Sequence, residues 1–316
     1  MLSIVVTSYD PLRKHDITDL LDSVQTQVCN DLEVVYVTER SIWLHDYVRE
    51  AIRLRGIKGR VIHNNGEWGL SECRNIGVKN SDGEIIAFID DDVTLDPKWS
   101  CSIIRAFDSF DDMIGATGPA YPYWVDEKAD WLPLELDWLI GCTRWFKSNV
   151  SVEIRNCWGM NMCFRRKAFE IAGYFDVEAT EQSRYLRSGI DNRIGETGKQ
   201  GKMAEDVEFS LRLTQLSGMR LYYLPDMKVL NKVYAYRLST RFIIARSSWI
   251  GYSRRNIAKI SGSRKLATEK LLVAPIFKAL FQVDQYSHPG HISKRITTII
   301  LAAFALVCGY VFGALA

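Results

Sequence analysis

Five apolar residues in succession, Ile85-Ile86-Ala87-Phe88-Ile89, run directly into three carboxylates, Asp90-Asp91-Asp92. An uninterrupted apolar run of that length reads as a strand buried on both faces, the kind found in parallel sheets covered by helices. Three adjacent acids repel one another, so a fold keeps them together where a cation or a donor-rich ligand offsets the charge. In open α/β sheets ligands gather at the carboxyl ends of strands. The sharp reading is a D-x-D pair, Asp90 and Asp92, holding a hard divalent ion that grips a diphosphate. The plain alternative is a solvated acidic turn before a helix opened by Asp96-Pro97.

The flanking pattern supports a sheet. Leu2 to Thr7 is a short β-branched strand that breaks at Ser8-Tyr9-Asp10-Pro11, and a helix follows with Ile17, Leu20, Leu21 and Val24 on one face. A second strand, Leu32 to Val37, ends at Thr38-Glu39; a helix from Trp43 to Leu54 leads to a strand over Arg60 to Ile62. Gly69-Leu70-Ser71 opens another helix through Arg74, Asn75 and Gly77 before the acid-tipped strand. Strand and helix alternating in this way predict an α/β chain with a doubly wound, mostly parallel sheet. No G-x-G-x-x-G follows the first strand and no G-x-x-x-x-G-K-[ST] occurs, so a dinucleotide dehydrogenase and a phosphate-loop NTPase are disfavoured. Without a glycine cradle, phosphates must be held through a cation, and the triplet offers its site.

These blocks carry a resemblance. Thr7-Ser8-Tyr9-Asp10, Glu39, Gly69-Leu70-Ser71 with Arg74-Asn75 and Gly77, and Phe88-Ile89-Asp90-Asp91-Asp92 resemble, in order and spacing, the nucleotide-binding half of family 2 glycosyltransferases with the GT-A fold. Gly159-Met160-Asn161-Met162, Gly173-Tyr174-Phe175-Asp176 and Glu205-Asp206-Val207-Glu208 resemble the family's acceptor side. The resemblance implies transfer of a sugar from a nucleotide-sugar donor with inversion, assisted by Mn2+ or Mg2+. It gives Asp206, with Glu205 beside it, the part of base for the acceptor hydroxyl; Thr7, Tyr9, Glu39, Arg74, Asn75, Asp90 and Asp91 the donor site; and Asp90 and Asp92 the metal. Acids in the first turn of a helix also occur with no catalytic part, because they favour the positive end of its dipole. There is one departure. Where family members often carry a histidine metal ligand, this chain has Asn231, an uncharged amide, with Lys232 next to it as a further source of neutralisation.

Charge is unevenly spread behind a net +2. Residues 228 to 295 hold 14 Lys or Arg against Glu269 and Asp284, whereas the preceding stretch is acidic. Arg237, Arg241, Arg246, Arg254 and Arg255 alternate with Phe242, Ile243, Trp249 and Ile250, a pattern suited to an anionic membrane surface. Ile296 to Ala316 has 21 residues without a charge, enough to span a hydrocarbon core. With Lys294-Arg295 at its entrance, it predicts a single-pass anchor with the catalytic body on the cytoplasmic face, and it argues against nucleic acid as the partner of the basic stretch. Trp124, Trp131, Trp138 and Trp145 recur every seven residues, consistent either with core packing or with an interfacial or lipid-acceptor groove. The expected division is a catalytic domain over 1–232 (nucleotide half 1–118, acceptor half 119–232), basic helices over 233–295 and the anchor over 296–316. Lys232-Val233-Tyr234-Ala235-Tyr236-Arg237 and Trp249-Ile250-Gly251-Tyr252-Ser253 resemble archaeal members that extend dolichyl-phosphate-linked saccharides for protein N-glycosylation, some of which use UDP-glucuronate. A surface-polysaccharide transferase, or a nucleotide-sugar-binding scaffold without turnover, would share the same motifs. Seven cysteines without a C-x-x-C pair or metal-ligand spacing read as reduced thiols.

Overall fold

A computed structural model describes residues 1–126, 129, 131–177, 204–261 and 289–312. The apolar stretch from Leu271 to Phe281 and the last four residues of the expected anchor lie outside the described residues.

The strands are β1 (Leu2–Ser8), β2 (Leu32–Glu39), β3 (Gly59–Asn64), β4 (Ile85–Asp90), β5 (Val93–Leu95), β6 (Met113–Thr117), β7 (Ala120–Trp124), β8 (Val152–Ile154), β9 (Asn161–Arg165), β10 (Arg220–Tyr223) and β11 (Val229–Val233). The helices are α1 (Lys14–Gln25), α2 (Ile42–Leu54), α3 (Leu70–Lys79), α4 (Trp99–Ser109), α5 (Lys167–Ala172), α6 (Glu205–Ser217), α7 (Thr240–Ser261) and α8 (Pro289–Phe312). An eight-stranded sheet has the order β3-β2-β1-β4-β9-β6-β10-β8. Its first four strands are parallel, and β9 enters antiparallel between β4 and β6. This is the mixed, mostly parallel α/β sheet that the alternating pattern predicts.

Both faces are covered, which explains the continuous apolar runs in β1, β2 and β4. One face packs Ile17, Leu20, Leu21, Leu44, Trp99 and Ile103 from α1, α2 and α4. On the other, Phe88, Phe164, Phe169, Phe175 and Phe209 form a web of ring contacts with centroids 4.6 to 6.3 Å apart. The register sets the functional edge: Thr7 lies opposite Asp90, Ser8 opposite Thr38, and Glu39 opposite Asn64. After the triplet the chain turns into β5, and β11 joins it antiparallel with Asn231 opposite Val93.

The expectation of uniformly reduced cysteines is corrected. Cys29, after α1, and Cys101, in α4, form a disulfide with Cα atoms 5.1 Å apart. They are 72 residues apart in sequence, so only the packing of α4 beside the loop that follows α1 brings them together. Cys73, Cys142, Cys157 and Cys163 are buried free thiols.

The chain divides into two compact units. The first comprises Met1–Tyr121, Ser148–Val177 and Glu205–Lys232. The second includes Pro122–Lys147 and the described residues from Val233 onward. Residues 122–147, expected in the acceptor half of the first body, therefore group with the C-terminal helices. The reason is apolar: Trp131, Leu132, Leu136, Leu139 and Ile140 cluster with Ile243, Ile299 and Ala302. Trp131 of the seven-residue series is buried and Trp124 and Trp138 are partly so, which favours core packing for that series. In the same unit α7 and α8 cross at two glycines. A Cβ on Gly309 would run into the Ser248 backbone, and one on Gly251 into that of Leu306. Helix α8 holds a stretch, Gly290–Val311, long and apolar enough to cross a membrane, with mean hydropathy 1.6. It begins before the expected Ile296, and Arg295 is buried, its guanidinium 3.4 Å from the Trp131 carbonyl. Ile300, Phe304, Val307 and Val311 form its exposed apolar face.

Candidate active site

The three carboxylates at the end of β4 have three different settings. Asp90 is the most open, with 30% of its side chain exposed, and lies 3.6 Å from the Arg74 guanidinium. Asp91 turns toward the core and accepts a 2.6 Å hydrogen bond from Ser8 Oγ. Ser8 Oγ lies 2.7 Å from the hydroxyl of Tyr36, a residue wholly buried in β2. Burial and the Asp91 charge both push the Tyr36 phenol well above its ordinary range, so it is neutral. Asp92 is buried, its Oδ2 2.6 Å from Arg13, and its carbonyl accepts from the Lys232 backbone N–H at 2.9 Å. Parallel pairing of β1 with β4, and antiparallel pairing of β11 with β5, thus gather residues distant in sequence around one strand end.

Asn231 is buried in β11 beside this edge. Its neighbour Lys232 does not add its charge directly to the triplet as expected: Nζ pairs with Asp16 at 2.9 Å and Asp19 at 2.5 Å, both on α1.

The second acidic group opens α6. Glu205 meets Arg74 at 2.5 Å, and Arg74 also donates to the Gly159 carbonyl at 2.9 Å. Gly159 N–H in turn donates to Asp206 Oδ2 at 2.8 Å, and Val207 N–H to Oδ1 at 2.8 Å. Arg74 therefore ties the triplet, the loop at Gly159 and the start of α6 into one arrangement. Desolvation, and next the negative charge of Glu205, raise the Asp206 carboxyl to about 6, against the opposing pull of Arg74 and the two backbone donors. A carboxylate with a proton affinity near neutrality is suited to taking a proton from a hydroxyl.

At the other side of the edge, Glu39 Oε2 accepts from Gly69 N–H at 2.8 Å and from Cys73 at 3.5 Å, joining the end of β2 to the start of α3. Arg40, missed in the sequence, lies over Tyr9 and over Trp68, 4.8 and 5.2 Å from their ring centroids. Its backbone is left-handed at φ 67°, a conformation costly for a side chain larger than glycine's and typical of functional sites. Thr7 ends β1 opposite Asp90. Asn75 is buried in α3. Its amide both donates to and accepts from the Phe175 backbone, each bond 2.9 Å, which fixes the loop after α5. Arg13 and Tyr36 also escaped sequence reading, and Ser8 and Gly159, though part of the matched blocks, were given no role there, since a lone serine or arginine carries no signal until a fold supplies its partner. Among the described residues, no three His, Cys, Asp or Glu side chains converge as a ready-made metal cluster.

Known proteins share this geometry's framework. The chain is 27% identical to a glucosyl-dolichyl phosphate glucuronosyltransferase of Haloferax volcanii, over 99% of this chain and 96% of that one. The fold matches a mannosyltransferase from Pyrobaculum calidifontis, solved with GDP-Man and Mn2+, at TM-score 0.56 and 15% identity, covering 97% of this chain and 86% of that one. It also matches GalNAc-T7, solved with UDP, GalNAc and Mn2+, at TM-score 0.54 and 14% identity, over 84% of this chain and 51% of that one. Residues 3–171, which supply the sheet edge and its acids, match the model of glycosyl transferase family 2, and the chain belongs to that family.

Proposed function

We propose that this glycosyltransferase moves a sugar, in one inverting displacement, from a UDP-sugar such as UDP-glucuronate to a dolichyl- or polyprenyl-phosphate-linked saccharide in protein N-glycosylation. The end-to-end similarity to the Haloferax protein, named for glucuronosyl transfer to glucosyl-dolichyl phosphate, supports a uronate as the sugar and a dolichyl-phosphate-linked acceptor. The observation that carries the chemistry is the Asp206 carboxyl, raised to about 6 and held by Gly159 within the same Arg74 network that reaches Asp90. Asp206 accepts the acceptor hydroxyl's proton. Glu205, tied to Arg74, raises the basicity of its neighbour and positions the guanidinium. Thr7, Tyr9 and Glu39 line the nucleoside end.

The residues present fit a hard divalent ion. Mg2+ and Mn2+ favour oxygen donors, and such ions are commonly held by one or two carboxylates and completed by substrate phosphates rather than by an all-protein cage. Asp90 and Asp92 would be those carboxylates, with the Asn231 amide oxygen as a neutral third donor. When bound, the ion acts as a Lewis acid that offsets the charge growing on the departing diphosphate. Helix α8 is read as the anchor that keeps the enzyme at the cytoplasmic face, where its acceptor's lipid resides.

The test is to incubate detergent-purified protein with UDP-, GDP- and dTDP-sugars and polyprenyl-phosphate-linked acceptors, following transfer and UDP release. Transfer from a UDP-sugar that stops in excess chelator and returns with Mn2+ or Mg2+ is the expected result. Asp92→Ala abolishes it. Undiminished turnover in chelator would sink the metal reading, and turnover with GDP- or dTDP-sugars alone would sink the donor reading.

A further inference from the structure

Arg13 joins the acids of the triplet to those of α1. Arg13 Nη1 lies 2.6 Å from Asp92, 3.4 Å from Asp16 and 4.0 Å from Asp91. Lys232 binds the other oxygen of Asp16 and one of Asp19. Of these side chains only Asp19 is largely exposed, at 55%; the others lie between 3% and 16%. Arg13 and Lys232 are thus set among four carboxylates in a largely dry setting.

The two buried acids of the triplet meet different kinds of partner. Ser8 gives its single hydroxyl proton to Asp91, so the neutral Tyr36 must donate to Ser8, and Asp91 is pinned from inside the sheet by a chain of short, directional bonds. Asp92 is held through its side chain by the tip of a long arginine on the turn Pro11–Arg13. Lys232, by contrast, is fixed by two acids of α1. Of these two cations Arg13 is the one in ion-pair reach of the triplet, at the end of a long side chain carried on a turn. It keeps Asp16 as an alternative partner, since that carboxylate is already within 3.4 Å.

We propose that Arg13 is a built-in counter-ion for Asp92: its guanidinium holds the carboxylate while the donor site is empty and yields to the divalent ion when the nucleoside diphosphate arrives. This deepens the reading above and rests on the metal site assigned there. Beside an arginine, a bare divalent ion meets like charge, so the site takes it poorly alone. A diphosphate brings the negative charge that tips the balance, so ion and donor bind together. Such mutual dependence is a coupling between two ligands and is reciprocal.

The test measures Mn2+ binding to the full-length protein in detergent without acceptor. It uses the electron-paramagnetic signal of free Mn2+, with and without UDP, correcting for Mn2+ held by UDP in buffer. The wild type should bind Mn2+ weakly alone and on the order of tenfold or more tightly with UDP, the scale of a unit charge at a partly buried site. Arg13→Gln should bind Mn2+ alone on the order of tenfold more tightly than wild type, with little further gain from UDP. Arg13→Lys keeps the cation and should behave as wild type, and Asp92→Asn should lose binding in every case. An unchanged Mn2+ affinity in folded Arg13→Gln, with Asp92→Asn inactive in binding, overturns the role of Arg13 while leaving the metal site standing. Equal Mn2+ affinity of the wild type with and without UDP overturns it independently of any variant's folding. Binding unaffected by Asp92→Asn refutes the underlying metal reading instead.

Discussion

The carboxyl group of Asp206 shows how a single residue acquires a property that its type lacks. Burial and the adjacent Glu205 push its pKa to about 6, and the Gly159 N–H aims it. Two consequences follow from the direction of that shift. Below about 6 the proposed base is protonated, so kcat/KM should rise with pH up to that value and then level. Asp206→Asn should lower turnover by about 10²–10⁴-fold while its donor affinity, read by UDP titration, stays close to wild type. Retained turnover would remove the assigned base. The same shift affects stability. Between the ordinary carboxylate range and about 6, the folded protein keeps a proton that the unfolded chain has released. The contribution of this group is thus fully present at lower pH and is lost as pH rises through that window. Urea unfolding at two pH values spanning it should show a slope in the wild type that Asp206→Asn lacks.

At the scale of elements, short apolar strands with acidic tips define the site, and helix starts close it. The acids at the start of α6 satisfy a local preference for the positive end of a helix, yet Glu205 and Asp206 are also the residues that Arg74 and Gly159 reach. A different demand acts on α7 and α8. Their backbones approach so closely at Gly251 and Gly309 that no side chain fits without movement. Gly309→Leu should therefore destabilise this helix pair by about 1–3 kcal/mol, as overpacking does elsewhere. The check is a lower melting temperature in detergent, and an unchanged one would show that the helices can separate without loss. Gly309→Ala should fall between the two.

For the molecule as a whole, the disulfide is the feature that most changes expectation. It links the loop after α1 to α4, across β2, β3, β4 and their helices. Closing so long a segment restricts the unfolded chain, worth about 2–4 kcal/mol in typical cases. Reduction, or the paired change Cys29→Ser with Cys101→Ser, should lower the thermal midpoint by several degrees, and the two treatments should agree. A midpoint indifferent to reductant would mean that the bond contributes nothing to stability. The second unit poses a different question of scale: residues 122–147 share a core with helices more than a hundred positions downstream.

What the sequence determined by itself was local or periodic. An unbroken apolar run bounded by acids specifies a doubly covered strand and the edge at which it ends, because side-chain alternation and charge repulsion leave few other solutions. The alternation of strands and helices specified a parallel α/β sheet, and ordered blocks of residues specified the family. The tertiary structure alone decided which cation meets which acid. Arg13 on Asp92, Lys232 on Asp16, Tyr36 through Ser8 on Asp91, and Asn75 on the Phe175 backbone all join residues brought together by crossovers. Spacing along a chain carries no record of such partners, because their distances are set by the packing of helices on a sheet and not by the residues between them.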